Sequence, residues 1–253
     1  MRTTSAWPRW LVGSPMTSGR WLLLIADIGG YTEYMRTHRM SLAHAEVNTA
    51  RLLEKVIDAV PNFDLIEIEG DAAFLARSAD GLDDAASVAL TLDAAMAMHR
   101  AFHVERQYVT TNLCPCASCT QASNLKLKFV AHIAEVATQT IRQRRKLVGI
   151  DVILVHRLLK NPVKVPEYLL FSDELYHTNH APLPGPAHEV SHDLEGIGPV
   201  RAYFVDVADL PRSPDPLPDP PLLERVRRTL AVAGSGMPYM LGLRRRRGAA
   251  PAF

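Results

Sequence analysis

Residues 21–26 are all apolar and lead into Asp27, and Ile28 is then followed by Gly29-Gly30. An unbroken apolar run of this length, closed by glycines, predicts a strand over 21–27 that is buried on both faces. From 41 to 60 the period changes: Leu42, Ala45, Leu52, Leu53, Val56 and Ile57 fall at three-to-four spacing, which predicts a helix. Short apolar runs at 63–68 and 72–76 flank Gly70-Asp71 and predict a hairpin with Asp71 near its tip. An Ala-, Leu- and Met-rich segment from 81 to about 103 reads as a second helix, its apolar stripe taken as core packing. Leu125, Leu127, Phe129, Ala131 and Ile133 alternate along a strand at 125–136. A helix over 149–159 and strands at 168–171 and 200–207 complete the pattern. The Pro-rich run 211–221 breaks regular structure. Mixed helices and strands with adjacent hairpins predict an α+β fold, helices covering one face of a mainly antiparallel sheet.

The chemistry in this pattern sits where strands end. Asp27 closes one apolar run and stands before Gly29-Gly30; Asp71 follows Gly70 at the hairpin tip. A carboxylate beside flexible backbone N–H groups is what a Mg²⁺-bound polyphosphate requires, and two carboxylates can hold two divalent ions. The competing reading makes each Asp a turn residue after a core strand.

Composition narrows the setting. The 253-residue chain is long enough for one large domain with tails, and its formal net charge of +1 gives no global field favouring nucleic acid or membrane. No apolar stretch approaches the roughly 20 residues that span a bilayer, and Gly13-Ser14-Pro15 interrupts any N-terminal signal core. The expectation is a cytoplasmic protein. It divides into a loose leader at 1–18 (Met16 being an alternative start), a domain at 19–210 and a Pro-rich linker and basic tail at 211–253. The three cysteines, Cys114, Cys116 and Cys119, share one loop at 110–123, so a secreted disulfide framework is not expected. Three thiolates at C-x-C-x₂-C spacing can reach one soft ion such as Zn²⁺, which wants a fourth ligand. His99, His103 and His132 are the nearby imidazoles, and a surface loop of redox-sensitive thiols is the alternative.

Several segments, in order, resemble the class III adenylate/guanylate cyclase catalytic domain. They are Ala26-Asp27-Ile28-Gly29-Gly30-Tyr31-Thr32, Gly70-Asp71-Ala72-Ala73-Phe74, His132-Ile133-Ala134-Glu135-Val136, residues 149–157 and residues 194–203. Cys114-Pro115-Cys116-Ala117-Ser118-Cys119, with residues 127–132 and 156–161, is more closely similar to the DUF2652 branch of bacterial proteins related to those cyclases. The resemblance implies a ferredoxin-like core working as a head-to-tail homodimer on a purine nucleoside triphosphate. It implies that Asp27 and Asp71, with the backbone of Ile28, hold two Mg²⁺ or Mn²⁺ ions. The backbone of Gly29, Gly30, Tyr31 and Thr32 would wrap the phosphates. Attack of the ribose 3′-oxygen on the α-phosphate would then release pyrophosphate.

The substrate side departs from that pattern. Arg157 falls at the transition-state arginine, but its companion asparagine position holds Ile153, and the phosphate-lysine position holds Glu195. The purine-reading pair falls on Glu67 and Lys146, which could pair with each other. Each missing transition-state donor is worth about 2.7–4 kcal/mol, roughly a hundred- to a thousandfold in rate. Arg142, Arg144, Arg145, Lys160 and Lys164 could supply replacement cations, although 142–146 also reads as a solvated hairpin arm. His132 is expected to be a hydrogen-bonded core histidine, and His156 to orient its neighbours. Beyond 221, a short helical pattern at 222–228 precedes Arg244-Arg245-Arg246-Arg247, a run able to touch an anionic surface or simply to remain solvated. Two functions stand open: a divergent nucleotide cyclase, and a catalytically silent cyclase-homology module that binds a nucleotide or a protein in signalling.

Overall fold

The computed structural model describes residues 17–37, 42–141, 144–178, 183–210 and 218–240. The leader through residue 16, Arg142, most of the Pro-rich run and Arg244–247 lie outside the described residues. The strands are β1 (Thr17–Gly29), β2 (Asp64–Glu69), β3 (Ala72–Ser78), β4 (Lys126–Ile141), β5 (Arg144–Val148), β6 (Tyr168–Ser172), β7 (His188–Leu194) and β8 (Gly198–Asp206). They form one sheet in the order β2-β3-β1-β4-β6-β8-β7, with β5 folded back on the far end of β4. Neighbours are antiparallel except β4 and β6, which run parallel and are joined through β5 and helix α5 (Ile150–Leu158).

β1 is central because both of its faces are apolar. Leu22, Leu24, Ala26 and Ile28 join one core cluster, while Leu23 and Ile25 join the other. The first cluster is covered by α2 (Leu42–Asp58) and α3 (Asp84–Thr111). Leu154, Val155 and Leu158 of α5 cover the second. Helices therefore lie on both faces of the sheet, not on one as the sequence pattern predicts. The apolar odd-numbered positions of β1 need a cover of their own.

Asp83 caps α3, accepting from the Ala86 amide at 2.6 Å, a bond worth about 1 kcal/mol. The helix runs eight residues past its expected end near 103, since no glycine or proline stops it before Asn112. β7 escapes the sequence pattern because it is a mostly exposed edge strand of polar residues, paired only to β8. Three short helices also lie outside that pattern: α1 (Tyr31–Thr37), α4 (Ala117–Thr120) and α6 (Asp173–Thr178).

The C-terminal helix α7 (Leu222–Met240) extends well past 228 and is tied to the domain. Arg225 Nε donates to the Thr111 carbonyl at 2.6 Å, and Thr229 Oγ1 accepts from the Leu113 amide at 2.9 Å. Buried Glu105 of α3 lies between Arg51 of α2 at 2.7 Å and Arg228 of α7 at 3.5 Å. No helix among the described residues is long and apolar enough to cross a membrane.

Candidate functional site

The hairpin of β2 and β3 turns at Gly70-Asp71, where Gly70 has φ 65°, a conformation glycine adopts without penalty. The turn lies against the end of β1: Ala72 is the cross-strand partner of Asp27, and the Ile28 amide donates to the Asp71 carbonyl at 3.2 Å. The two aspartates thus meet at neighbouring strand ends. Burial, and then the charge of Asp27, push the Asp71 carboxyl above its ordinary value. Gly30 (φ 83°) turns the chain into α1 beside the Asn124 carbonyl. Tyr31 is half-buried there, its phenol raised by burial and by Asp71 and Glu46, and Thr32 is exposed.

The other strand neighbour of Asp27 carries a residue to which the sequence reading gives no role at the site. Lys128 of β4 is the direct cross-strand partner of Asp27, and its Nζ lies 2.9 Å from Asp27 Oδ2. The Lys128 and Asp27 side chains are only 25% and 15% exposed, so this pair is shielded from solvent far more than a surface ion pair. Burial alone would lower the Lys128 ammonium, but the bond to Asp27 and nearby negative charge raise it overall. Tyr168 closes the same side of the sheet; burial raises its phenol, which exchanges hydrogen bonds with the Asn161 side chain. Two carboxylates and one ammonium leave one formal negative charge for a further cation. The oxygen donors suit a hard ion.

The remaining expected site residues are placed separately. Arg157 Nη1 lies 3.6 Å from Glu195 Oε2, a pair in which Glu195 is almost fully exposed. His156 beside it sits edge-on to Phe74 and 3.3 Å from Glu69. Glu67 and Lys146 are both exposed, and among the described residues no ion pair joins them. Ile153 is 48% exposed, next to Ile150 at 59% on the same helix, and Ile68 of β2 is 51% exposed. Residues 144–148 form the hairpin arm β5, from which Arg145 reaches Asp64 and the Trp21 ring. His132 is fully buried and bonded to Ser172 Oγ at 2.7 Å and Asp151 Oδ1 at 3.2 Å, the core role expected of it.

The cysteine loop holds a second constellation. Cys114, Cys116 and Cys119 converge on His44 of α2, and the four ligand atoms all lie within 4.8 Å of one another. None of the three imidazoles proposed from sequence is the fourth member, because α2 brings in a residue some seventy positions upstream. Burial pushes the Cys116 thiol up to about 12, and the other two thiols act in the same direction. Such a group could hold a metal ion.

His99 and His103 instead face Glu167. Arg106 Nη2 donates to His103 Nδ1 at 2.9 Å, so His103 must donate from Nε2 to Glu167 Oε1 at 2.8 Å. An Nε2 that carries a proton cannot ligate a metal, and Glu167 Oε1 also accepts from the Leu127 amide at 3.0 Å. These bonds, with His99 3.4 Å from Glu167 Oε2, hold the Glu167 carboxyl far below its ordinary value although burial opposes them. The cluster bolts α3 to the starts of β4 and β6.

The sequence profile of DUF2652, a protein family of unknown function, matches residues 49–168. An uncharacterised protein of Mycobacterium tuberculosis, Rv2561/Rv2562, is 36% identical over 199 residues, 78% of this chain and 90% of that protein. Among solved structures, the guanylyl cyclase Cya2 superposes with a TM-score of 0.60 at 16% identity, covering 77% of this chain and 94% of the cyclase. A class III adenylyl cyclase-like ATP-binding protein from Pseudomonas aeruginosa gives 0.53 at 15% identity, over 64% of this chain and 35% of that one. The fold is that of the class III adenylyl/guanylyl cyclase catalytic domain. With that fold and a relative matched along nine-tenths of its length, the chain belongs to the DUF2652 family.

Proposed function

We propose that this chain is a nucleotide-binding module of the cyclase fold, taking a purine nucleoside triphosphate with one divalent ion and turning it over poorly if at all. The observation that carries the reading is the shielded Lys128–Asp27 pair at 2.9 Å. Lys128 would supply a fixed positive charge where the cyclase arrangement that the sequence resembles uses an ion. The residual negative charge of the Asp27, Asp71 and Lys128 set then calls for a single Mg²⁺ or Mn²⁺, held by Asp71, Asp27 and the Ile28 carbonyl. That ion would neutralise phosphate charge. The backbone of Gly29, Gly30, Tyr31 and Thr32 would face the phosphates, with Glu67 and Lys146 toward the base.

The catalytic half is weak in this reading. Arg157 has Glu195 for a neighbour, and Ile153 offers no hydrogen bond. Losing even one transition-state donor costs about 2.7–4 kcal/mol. Exposed Ile68, Ile150 and Ile153 support a homodimer that buries them, acting in the cytoplasm. The cysteines belong to the same reading as ligands of a structural Zn²⁺, since thiolates suit a soft ion.

Calorimetric titration with ATP and GTP in Mn²⁺, beside mass-spectrometric detection of cyclic products, tests the proposal. Micromolar binding that Asp71→Ala abolishes, without cyclic product, is the expected result. Cyclic AMP or cyclic GMP formed by the wild type and lost in Asp71→Ala would establish the cyclase reading instead, which the retained Asp27, Asp71 and Arg157 favour. No binding of either nucleotide would overturn both.

A further inference from the structure

His44 is the residue that turns three cysteines into a closed site. Its Nδ1 lies 3.3 Å from Cys116 Sγ and 3.8 Å from Cys114 Sγ. Zn–S bonds of about 2.3 Å and Zn–N bonds of about 2.0–2.1 Å in a tetrahedron place ligand atoms roughly 3.5–3.8 Å apart. The four atoms here, within 4.8 Å of each other, need only small adjustments to reach that. They come from three places: the first turn of α2, the loop after α3, and the start and body of α4. All three cysteines are free thiols.

The surroundings are those of thiolate ligands. Asn112 Nδ2 points to Cys119 Sγ at 3.5 Å and Asn48 Nδ2 at 3.8 Å, and both asparagines are buried. Asn112 Oδ1 in turn accepts from the Cys114 amide at 2.8 Å, fixing the side chain that serves Cys119. Amide donors aimed at sulfur stabilise a metal-bound thiolate and orient it. With four protein ligands no position remains open for water or substrate, so the site is structural and not catalytic.

The same cluster reaches the glycine turn. Ser118, between Cys116 and Cys119, accepts at its carbonyl from the Tyr34 hydroxyl at 2.7 Å. Tyr34 is buried in α1, and its amide donates to Gly30 O at 3.0 Å. Asn48 Nδ2 lies 3.5 Å from the Tyr34 hydroxyl and also faces Cys119. A displacement of α4 therefore pulls on α1 through Tyr34, and α1 starts at the turn formed by Gly29 and Gly30.

We propose that His44, Cys114, Cys116 and Cys119 bind one Zn²⁺ ion, and that its occupancy holds α1 and the Gly29-Gly30 turn in place. The significance of that turn for nucleotide rests on the function proposed above; the zinc site and its hold on α1 do not.

Elemental analysis of the full chain, purified under reducing conditions without chelator, is expected to give one zinc per chain. Cobalt(II) exchange should give the visible absorption of a tetrahedral site together with sulfur-to-metal charge transfer. His44→Ala should weaken metal retention against a chelating dye at least a hundredfold. His44→Cys should restore it with a stronger charge-transfer band, which separates loss of a ligand from loss of the fold. Hydrogen exchange over residues 31–37 should accelerate at least tenfold in the zinc-stripped protein and in His44→Ala, and remain slow in His44→Cys. No zinc in the reduced protein, or retention unchanged in His44→Ala, overturns the site. Zinc present with exchange over 31–37 indifferent to its removal overturns the link to α1. A zinc-loaded protein that passes these tests yet binds no nucleotide refutes only the nucleotide reading.

Discussion

The aspartate site at the strand ends and the Cys–His cluster between α2 and α4 carry opposite sequence signals, and the structure adds to each a residue that the sequence reading does not give it. The aspartate site has an extended motif, five segments in the right order, yet its carboxylates already face a positive charge. The cysteine loop has half a motif, yet His44 joins it as a fourth group able to ligate, with two asparagine amides beside Cys119. The difference lies in where the decisive residue comes from. Lys128 and His44 both reach their sites through the fold, one as a cross-strand partner and the other on a helix from far upstream. A motif records neighbours along the chain; what the site does depends on neighbours in space.

The comparison breaks most sharply at Asp71. Asp71→Ala is expected to weaken Mn²⁺-dependent nucleotide binding by at least a hundredfold, about 2.7 kcal/mol, while leaving zinc content untouched. Calorimetry and elemental analysis on the same sample check both. If zinc were lost as well, the two sites would not be separate.

Next in size is Lys128→Met, which removes the internal cation and restores two uncompensated carboxylates. Divalent-ion affinity should rise about tenfold or more, near 1.4 kcal/mol, as read by Mn²⁺ titration with electron paramagnetic resonance. Unchanged affinity would mean that Lys128 already leaves Asp27 when an ion enters. Tyr34→Phe deletes the hydroxyl between the regions; thermal or urea unfolding should show a loss of about 1 kcal/mol. In the wild type that phenol, pushed up to about 12 by burial despite the Asn48 bond, stays protonated and donating throughout the accessible pH range.

The smallest effect is a pH dependence on the α3 bolt. Burial lowers the His103 imidazole below 6.5, so the folded state prefers it neutral. The stability this contributes is complete above the unfolded value and is lost as pH falls from about 6.5 toward the lowered folded value. Urea unfolding followed from about pH 7.5 down to about pH 5.5 should show a loss of stability with falling pH, and the slope should flatten in His103→Gln.

Much of the fold is legible from periodicity because its central strands are buried. β1 and β6 have no polar face to confuse the pattern, and the alternation of β4 records one core cluster accurately. Edge elements are less legible: β7 presents His188, Glu189 and Asp193 to solvent and has no apolar period to find. At the site, Asp27, Asp71 and the three cysteines are visible because the chain itself places them at strand ends or in one loop. Lys128 occupies the polar phase of an alternating strand, where a lysine normally signals solvent. Only the burial of Val130 and His132 in that same phase shows that the second face is also covered. His44 belongs to a helix whose histidine carries no local mark of metal binding; Asn48, one turn later and also turned inward, is the sole hint.

The pairing of Asp27 with Lys128 across β1 and β4 has a consequence for how this family can diversify. The residue that sets the charge of the site is not in the aspartate motif but on another strand, about a hundred positions away. On the function proposed above, a single codon there converts a one-ion site into a two-ion site, or the reverse, with every residue from Ala26 to Thr32 left as it is. If that proposal holds, relatives with identical glycine turns are expected to differ in ion stoichiometry with the residue at position 128.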